Sequence, residues 1–168
     1  MIKPVINYTV IKELLERYGI DNVSYKDSAY VISGNRDLPQ FGITHSLFIK
    51  GMVLYDEIVT KYALRYKPEV FDCDDFARLL KVVYAMVGVN GWAYAECELY
   101  EKEIETFTFV GDHAHNVAPY ALNPDCIILL LVEPQLYPYF NSVVVMKEGS
   151  NEARVLDRYK YRVYYAEF

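Results

Sequence analysis

The sequence predicts an α+β fold in which N-terminal helices, one of them starting at a cysteine, pack on an antiparallel β-sheet. Up to Gly88, apolar residues recur at the three-to-four-residue spacing of amphipathic helices. After Gly91, they alternate with polar residues, as in half-buried strands. A chain of 168 residues is long enough to build one core, so we expect a single domain over residues 1–168.

Two helices are predicted before the cysteine. The first covers Thr9–Arg17 and is capped by Gly19, and the second covers Phe48–Tyr66 and is stopped by Pro68. Residues 23–38 between them predict short strands or an ordered loop, followed by a break at residues 39–42.

The second half of the chain predicts a meander of strands. The expected strands cover residues 92–100, 105–110, 113–120, 126–132, 142–146, 154–159 and 161–165. A hairpin turn is expected at residues 101–103. The run from Cys126 to Val132 is apolar throughout, which is typical of a central buried strand.

Charge and composition indicate which binding partners and which cellular compartment to expect. A net charge of −6 argues against a general nucleic-acid binder. The start of the chain lacks signal-peptide architecture and no window approaches 18 apolar residues, so we expect a cytoplasmic protein without a membrane partner. Seventeen tyrosines suit either a β-rich core or an interface such as a homodimer contact. The scarcity of glutamine, limited to Gln40 and Gln135, is typical of heat-adapted proteins.

The third predicted helix begins at Cys73 and ends at Gly88. Its apolar stripe consists of Cys73, Phe76, Ala77, Leu80, Val83, Tyr84 and Val87. The thiol is therefore expected on the core-facing side, at the helix end whose dipole favours a thiolate. Asp72 and Asp75 have the spacing of a capping box. Helix capping and burial of a free cysteine are also common without any chemistry.

Two histidines and a glutamate complete the set of candidate reactive groups. His113 and His115 are two residues apart in a predicted strand, so they point to the same side of the sheet. Glu133 ends the buried run, where a carboxylate is costly unless it is paired, and a histidine on the neighbouring strand is its natural partner. Taken separately, these residues also fit structural hydrogen bonds, a metal pair or an exposed strand end.

Together, the three segments predict nucleophilic catalysis. A thiol at a helix start, an imidazole on a strand and an acid on the next strand supply a nucleophile, its base and the group that orients the base. Three sparse cysteines, Cys73, Cys97 and Cys126, fit a reactive thiol better than a disulfide framework. A bridge between Cys97 and Cys126 stays open at this point.

Three motifs carry a resemblance to a known family. The stretches 71–77 (FDCDDFA), 113–116 (HAHN) and 133–135 (EPQ) resemble the papain-like C-terminal domain of the Marasmius oreades agglutinin and its viral and bacterial relatives. That family shares the Cys-His-acid layout of transglutaminase-like cysteine peptidases. The resemblance covers about residues 67–135, and the sugar-binding trefoil repeats of the agglutinin have no counterpart in this sequence.

The resemblance implies a papain-like fold and a calcium-dependent cysteine peptidase acting on a peptide or protein. It implies Cys73 as the nucleophile, a histidine of the pair as the base and Glu133 as its orienter. Aligning the H-A-x-N pattern selects His113 over His115. It also implies Ca²⁺, or a similar ion such as Mn²⁺, held by Asp74, Asp75 and Gln135.

The residues themselves also favour a hard cation. Asp72, Asp74 and Asp75 surround a thiol that must ionise, and like charges disfavour a thiolate. A dication bound to these oxygens reverses that effect. Oxygen ligands suit Ca²⁺ or Mn²⁺ better than Zn²⁺.

The sequence does not decide which groups donate hydrogen bonds to the oxyanion. It also does not decide between a peptidase and two other functions. The Cys73 N–H lies at a helix start and is one expected donor, and Gln40, Tyr66 and Trp92 are candidates for a second. The alternatives to a peptidase are a binding or assembly module on the same fold and a transglutaminase-type acyl transferase.

Overall fold

The computed structural model describes residues 5–35, 44–123, 125–135 and 142–168. These residues form an α+β fold with three helices and a large, mostly antiparallel sheet. The helices are α1 (Tyr8–Arg17), α2 (Thr44–Lys61) and α3 (Cys73–Met86). The break predicted at residues 39–42 lies outside the described residues.

The helix ends explain one correct and one wrong prediction. A glycine follows the end of α1 and of α3 by two residues, as predicted. Gly19 and Gly88 have positive φ values of 71° and 88°, which suit glycine. Helix α2 ends at Lys61, not at Tyr66. Just after it, Ala63 adopts a left-handed conformation with φ 50°, as Gly19 and Gly88 do. The N–H of Leu64 then donates to the Val59 carbonyl at 3.0 Å. An alanine at this position carries no sequence signal, so the predicted end at Tyr66 came too late; the predicted start at Phe48 was also too late, because α2 begins at Thr44.

The strands form one large sheet and a separate pair. They are β1 (Val5–Asn7), β2 (Val23–Ser24), β3 (Ala29–Val31), β4 (Ser33–Gly34), β5 (Ala93–Glu103), β6 (Thr106–Asn123), β7 (Cys126–Val132), β8 (Val143–Val145), β9 (Glu152–Val155) and β10 (Tyr159–Glu167). The large sheet has the order β2-β10-β5-β6-β7-β8, with β9 beside β10 and β4 beside β6, whereas β1 pairs with β3. The sheet is mostly antiparallel, as the sequence predicts, and the β2–β10 and β4–β6 pairs are its parallel exceptions. The short early strands that cause this had no clear pattern of their own.

The β5–β6 hairpin is longer than predicted. Its turn lies at residues 104 and 105 rather than 101–103, with Ile104 at φ 57°. The two strands predicted over 105–110 and 113–120 are one strand interrupted by a bulge. Leu99 pairs with Gly111 but Tyr100 pairs with Phe109, and Gly111 adopts φ 145°. The histidine motif therefore lies in mid-strand, directly after a bulge.

The sheet is covered on both faces. Leu129 and Leu131 of β7 belong to the core that includes α1, while Leu130 and Val132 belong to the core that includes α2 and α3. This alternation confirms β7 as a buried interior strand. Among the described residues, no helix combines the length and apolarity needed to cross a membrane.

A buried asparagine ties α3 to the sheet. The side-chain amide of Asn116 on β6 donates to the Ala77 carbonyl of α3 at 2.9 Å and to the Ala93 carbonyl of β5 at 3.0 Å. Asn116 is fully buried, so water does not compete for these bonds. This contact sets the position of the first turn of α3 relative to β6, and Cys73 begins that turn.

Candidate active site

The candidate nucleophile is the first residue of α3. Asp72 is the N-cap residue, and its N–H donates to Asp75 Oδ2 at 3.1 Å within a capping box, as predicted. Cys73 is half-buried and packs against a small cluster formed by Ala77, Tyr94 and Ala114. All three cysteines are free thiols, so the alternative of a Cys97–Cys126 bridge is wrong.

The candidate base and its orienter form a buried pair. His113 Nε2 lies 2.6 Å from Glu133 Oε2, and the two side chains are 6% and 0% exposed. Glu133 follows β7 directly, and the β6–β7 ladder ends at the pair Asn116–Val132. Glu133 therefore lies just past the end of the β6–β7 ladder. There its carboxylate pairs with a histidine of the neighbouring strand, as the sequence predicted.

Glu133 accepts two further hydrogen bonds. Its Oε1 accepts the main-chain N–H of Gln135 at 3.0 Å, and its Oε2 accepts the hydroxyl of Tyr161 on β10. The hydroxyl of Tyr55 on α2 donates to the Pro134 carbonyl at 2.6 Å and holds the same segment. A fully buried carboxylate needs such donors because it has lost its water.

Cys73 also lies close enough to His113 to help raise the pKa of its imidazole. Because Nε2 contacts Glu133, Nδ1 is the ring nitrogen left for the thiol. Asn116 and Ala114 face α3, whereas both imidazoles lie on the opposite side, next to Tyr161. Cys73 packs next to Ala114, the β6 residue between the two histidines.

The two histidines differ sharply in their electrostatic surroundings. Burial by itself lowers the pKa of His113, but the charge of Glu133 and the hydrogen bonds to Cys73 and Glu133 outweigh it and raise the pKa to about 10. The site therefore favours an imidazolium at neutral pH. This charge state is the one that pairs with a thiolate.

His115 is buried and neutral. Burial and then the neighbouring charge of His113 lower its pKa to about 3. Its Nδ1 donates to the Asn116 carbonyl at 3.1 Å, and its ring stands edge-on to Tyr161 with the centroids 5.3 Å apart. Of the two histidines, His113 is therefore the one in contact with both Cys73 and Glu133.

Three carboxylates gather at the start of α3. One ligand oxygen from each of Asp72, Asp74 and Asp75 lies within 4.8 Å of the others. Oδ1 of Asp72 is buried and lacks a hydrogen-bond partner among the described residues. The hydrogen bond that the protonated Asp74 carboxyl donates to Asp72 is the main cause that raises the pKa of Asp74, with burial and the charge of Asp72 adding to it. The three carboxylates therefore repel one another, and a bound cation would relieve this repulsion.

The carboxylate cluster contains two of the predicted metal ligands. Asp74 and Asp75 lie in this cluster, and Asp72, which the resemblance did not include as a ligand, joins them. Gln135 is 5% exposed, and its main-chain N–H is bound to Glu133. Its place among the ligands stays a prediction.

The structure distinguishes between the candidates for the hydrogen-bond donor that would stabilise the oxyanion. Trp92 is fully buried, its indole N–H donates to Ser33 Oγ at 3.4 Å and its ring stacks on Tyr84, so it does not serve the site. Tyr66 is exposed, and Gln40 lies outside the described residues. The Cys73 N–H is one of the amides that a helix start leaves free of intrahelical partners, and it stays the preferred candidate.

Tyr161 is the site residue that sequence reasoning missed. It appeared as one of many aromatic residues of a predicted strand, and no spacing links it to Glu133. The only available signal was physical: a buried carboxylate requires more donors than one imidazole supplies. That requirement gives no position for the donor along the chain.

Comparison with known proteins gives one informative likeness. No protein-family model matches the chain, and no curated protein matches it either. A solved structure named "PSL1a-E64 complex" superposes with a TM-score of 0.55 at 16% identity. The match covers 98% of this chain and 51% of that one, so the chain spans about half of its length. At this identity the likeness shows a shared fold, that of a protein solved in complex with E64.

Proposed function

We propose that this protein is a cysteine peptidase, a hydrolase that uses Cys73 as nucleophile, His113 as acid and base, and Glu133 as the group that orients His113. One observation carries the proposal. His113 and Glu133 form a buried hydrogen-bonded pair, and Cys73 lies close enough to His113 to help raise the pKa of its imidazole. A thiol, an imidazole and a carboxylate in that order are the parts required for acyl transfer from a peptide bond.

The reaction follows from these groups. The Cys73 thiolate attacks the substrate carbonyl carbon and forms a C–S bond, while the carbonyl electrons move to oxygen. As the intermediate collapses, the C–N bond breaks and the leaving amine takes the proton of the His113 imidazolium. Water then gives a proton to His113 and its oxygen bonds to the acyl carbon. The C–S bond breaks, which returns the thiolate and imidazolium and adds one water across the peptide bond.

The structural likeness supports this assignment. E64 is an epoxide that alkylates the active-site thiol of cysteine proteases, and the similar structure is a complex with it. We therefore use the same compound as a probe of this chain. The carbonyl oxygen that gains charge during attack would bind at the helix start, where free N–H groups and the helix dipole favour an anion.

The expected result is a single E64 adduct at Cys73. Peptide mapping by mass spectrometry locates the adduct, and fluorescent casein in calcium buffer measures hydrolysis. We expect E64 to stop hydrolysis and Cys73→Ala to show neither adduct nor hydrolysis. The Cys126→Ala variant is the control because it removes another half-buried thiol and should behave as wild type.

Two outcomes would overturn the proposal. Hydrolysis that persists in Cys73→Ala would exclude the nucleophile. A wild-type protein that takes up E64 at Cys73 but incorporates a fluorescent amine into casein without cleaving it would instead be an acyl transferase, the transglutaminase-type alternative.

We further propose that the peptidase binds Ca²⁺, or Mn²⁺ in its place, through the carboxylates at the start of α3. The residues fit a hard cation: three oxygens lie within 4.8 Å of one another, and the buried Asp72 Oδ1 lacks a partner among the described residues. When bound, the ion would offset the carboxylate charge next to the Cys73 thiolate. Asp74 and Asp75 would hold it with Asp72, and Gln135 is proposed as a further ligand.

Chelation is expected to reduce casein hydrolysis, and added CaCl₂ to restore it. In Asp74→Asn, the calcium concentration for half-maximal activity should rise by about tenfold or more, since one charged ligand is lost. The thermal unfolding midpoint of the EDTA-treated protein should rise with calcium in wild type and rise less in Asp74→Asn. Asp157→Asn, at an exposed carboxylate, is the control. Full activity in EDTA, with Cys73→Ala inactive, would show the metal assignment to be wrong.

A further inference from the structure

We propose that Tyr161 is a positioning residue of the active site, whose hydroxyl holds the Glu133 carboxylate in the orientation that His113 requires. The inference rests on the proposed function. The hydroxyl donates to Oε2, the same oxygen that His113 Nε2 contacts. The main-chain N–H of Gln135 donates to Oε1, so both oxygens of the Glu133 carboxylate accept hydrogen bonds.

The surroundings of Tyr161 show that its hydroxyl is placed by the fold. Tyr161 is 0% exposed and lies on β10, two strands away from β6 in the order β10-β5-β6. Its ring meets both imidazoles edge-on, with centroid distances of 5.4 Å to His113 and 5.3 Å to His115. Packing by the rings fixes the tyrosine rotamer, and the rotamer directs the hydroxyl at Glu133.

The other groups around Glu133 do not replace this donor. Tyr55 donates to the Pro134 carbonyl, and Cys97 on β5 is a buried thiol whose pKa is raised, mainly by burial. His115 donates to the Asn116 carbonyl. Without the Tyr161 hydroxyl, His113 would be the remaining partner of Oε2 among the described residues, and the carboxylate would be held less firmly about its terminal bond. His113 would then lose its fixed orientation toward the thiol.

The test is Tyr161→Phe, which keeps the ring and removes only the hydroxyl. We expect kcat for a fluorogenic peptide to fall about tenfold with KM unchanged within about twofold, because a hydrogen bond to a charged group contributes that order of magnitude. In the Glu133→Gln background, the same change should have almost no further effect on kcat, since the two groups act as a unit. The matched control is Tyr100→Phe, which removes a 2.8 Å tyrosine–carboxylate bond to Glu98 elsewhere on the sheet.

A second measurement is independent of activity. The proton on His113 Nε2 should be visible by NMR as a downfield signal, protected from water by its bond to Glu133. In Tyr161→Phe we expect it to exchange with water several times faster, while Tyr100→Phe leaves the rate unchanged. Unchanged exchange and unchanged kcat, with only a lower unfolding temperature, would overturn the inference. Faster exchange in a protein that hydrolyses nothing would uphold it and reject the proposed peptidase.

Discussion

Replacing Glu133 by glutamine is expected to lower the pKa of His113 from about 10, because the charge of Glu133 is the largest contribution that raises it. The substitution leaves burial, which lowers the pKa, and Cys73, which raises it, as the remaining contributions. The imidazolium at pH 7 would lose its main support, and the reacting thiol would lose a fixed cationic partner. Hydrolysis should fall by about 10³- to 10⁴-fold, as when the acid that orients a catalytic histidine is lost.

The measurement is a pH titration of the His113 ring by NMR, together with casein hydrolysis. Glu98→Gln, at a carboxylate bound to Tyr100 and Arg162 on the same sheet, should leave the His113 midpoint in place. A midpoint that stays near 10 in Glu133→Gln would show that another group supports the imidazolium.

The same pair makes stability depend on pH. A histidine whose pKa is raised by folding stabilises the native state below about pH 6.5, and this contribution is lost as pH rises towards 10. The wild-type free energy of unfolding should therefore decline across that window, and the decline should be absent in Glu133→Gln. His115 has the opposite sign: its lowered pKa costs stability as pH falls below 6.5 towards 3.

Iodoacetamide is expected to alkylate Cys73 about 100-fold faster than Cys97 or Cys126 at pH 7. Thiols beside a cation or at a helix start generally react faster with electrophiles, and Cys73 lies beside His113 at the start of α3. Cys97 is fully buried, and burial followed by the charge of Glu133 holds its pKa well above the ordinary value. Peptide mapping by mass spectrometry at several reaction times measures the three rates separately.

The histidine variants identify the partner of the thiol. His113→Ala should slow the labelling of Cys73 to the rate of Cys126, whereas His115→Asn should leave it fast, because His115 has no contact with the thiol among the described residues. Equally slow labelling of all three cysteines in wild type would favour the binding or assembly module over an enzyme.

Local sequence signals predicted the parts of the site that depend on neighbours in the chain. The capping residues around Cys73 place the thiol at a helix start, and the apolar run before Glu133 places the acid at a strand end. The two histidines lie on one side of β6 because residues two apart in a strand always do. The misplaced end of α2 and the misplaced β5–β6 turn share one cause, since Ala63 and Ile104 turn the chain in left-handed conformations that usually belong to glycine.

By itself, the sequence determined which groups can react, since residue type and local periodicity decide chemistry and secondary structure. Only the tertiary structure decided which groups meet. The choice between His113 and His115, the third carboxylate beside Asp74 and Asp75, and the hydroxyl of Tyr161 on Glu133 all depend on contacts between distant segments. Such contacts follow from where a ladder ends and how strands are ordered in the sheet, and neither is encoded in the spacing of residues along the chain.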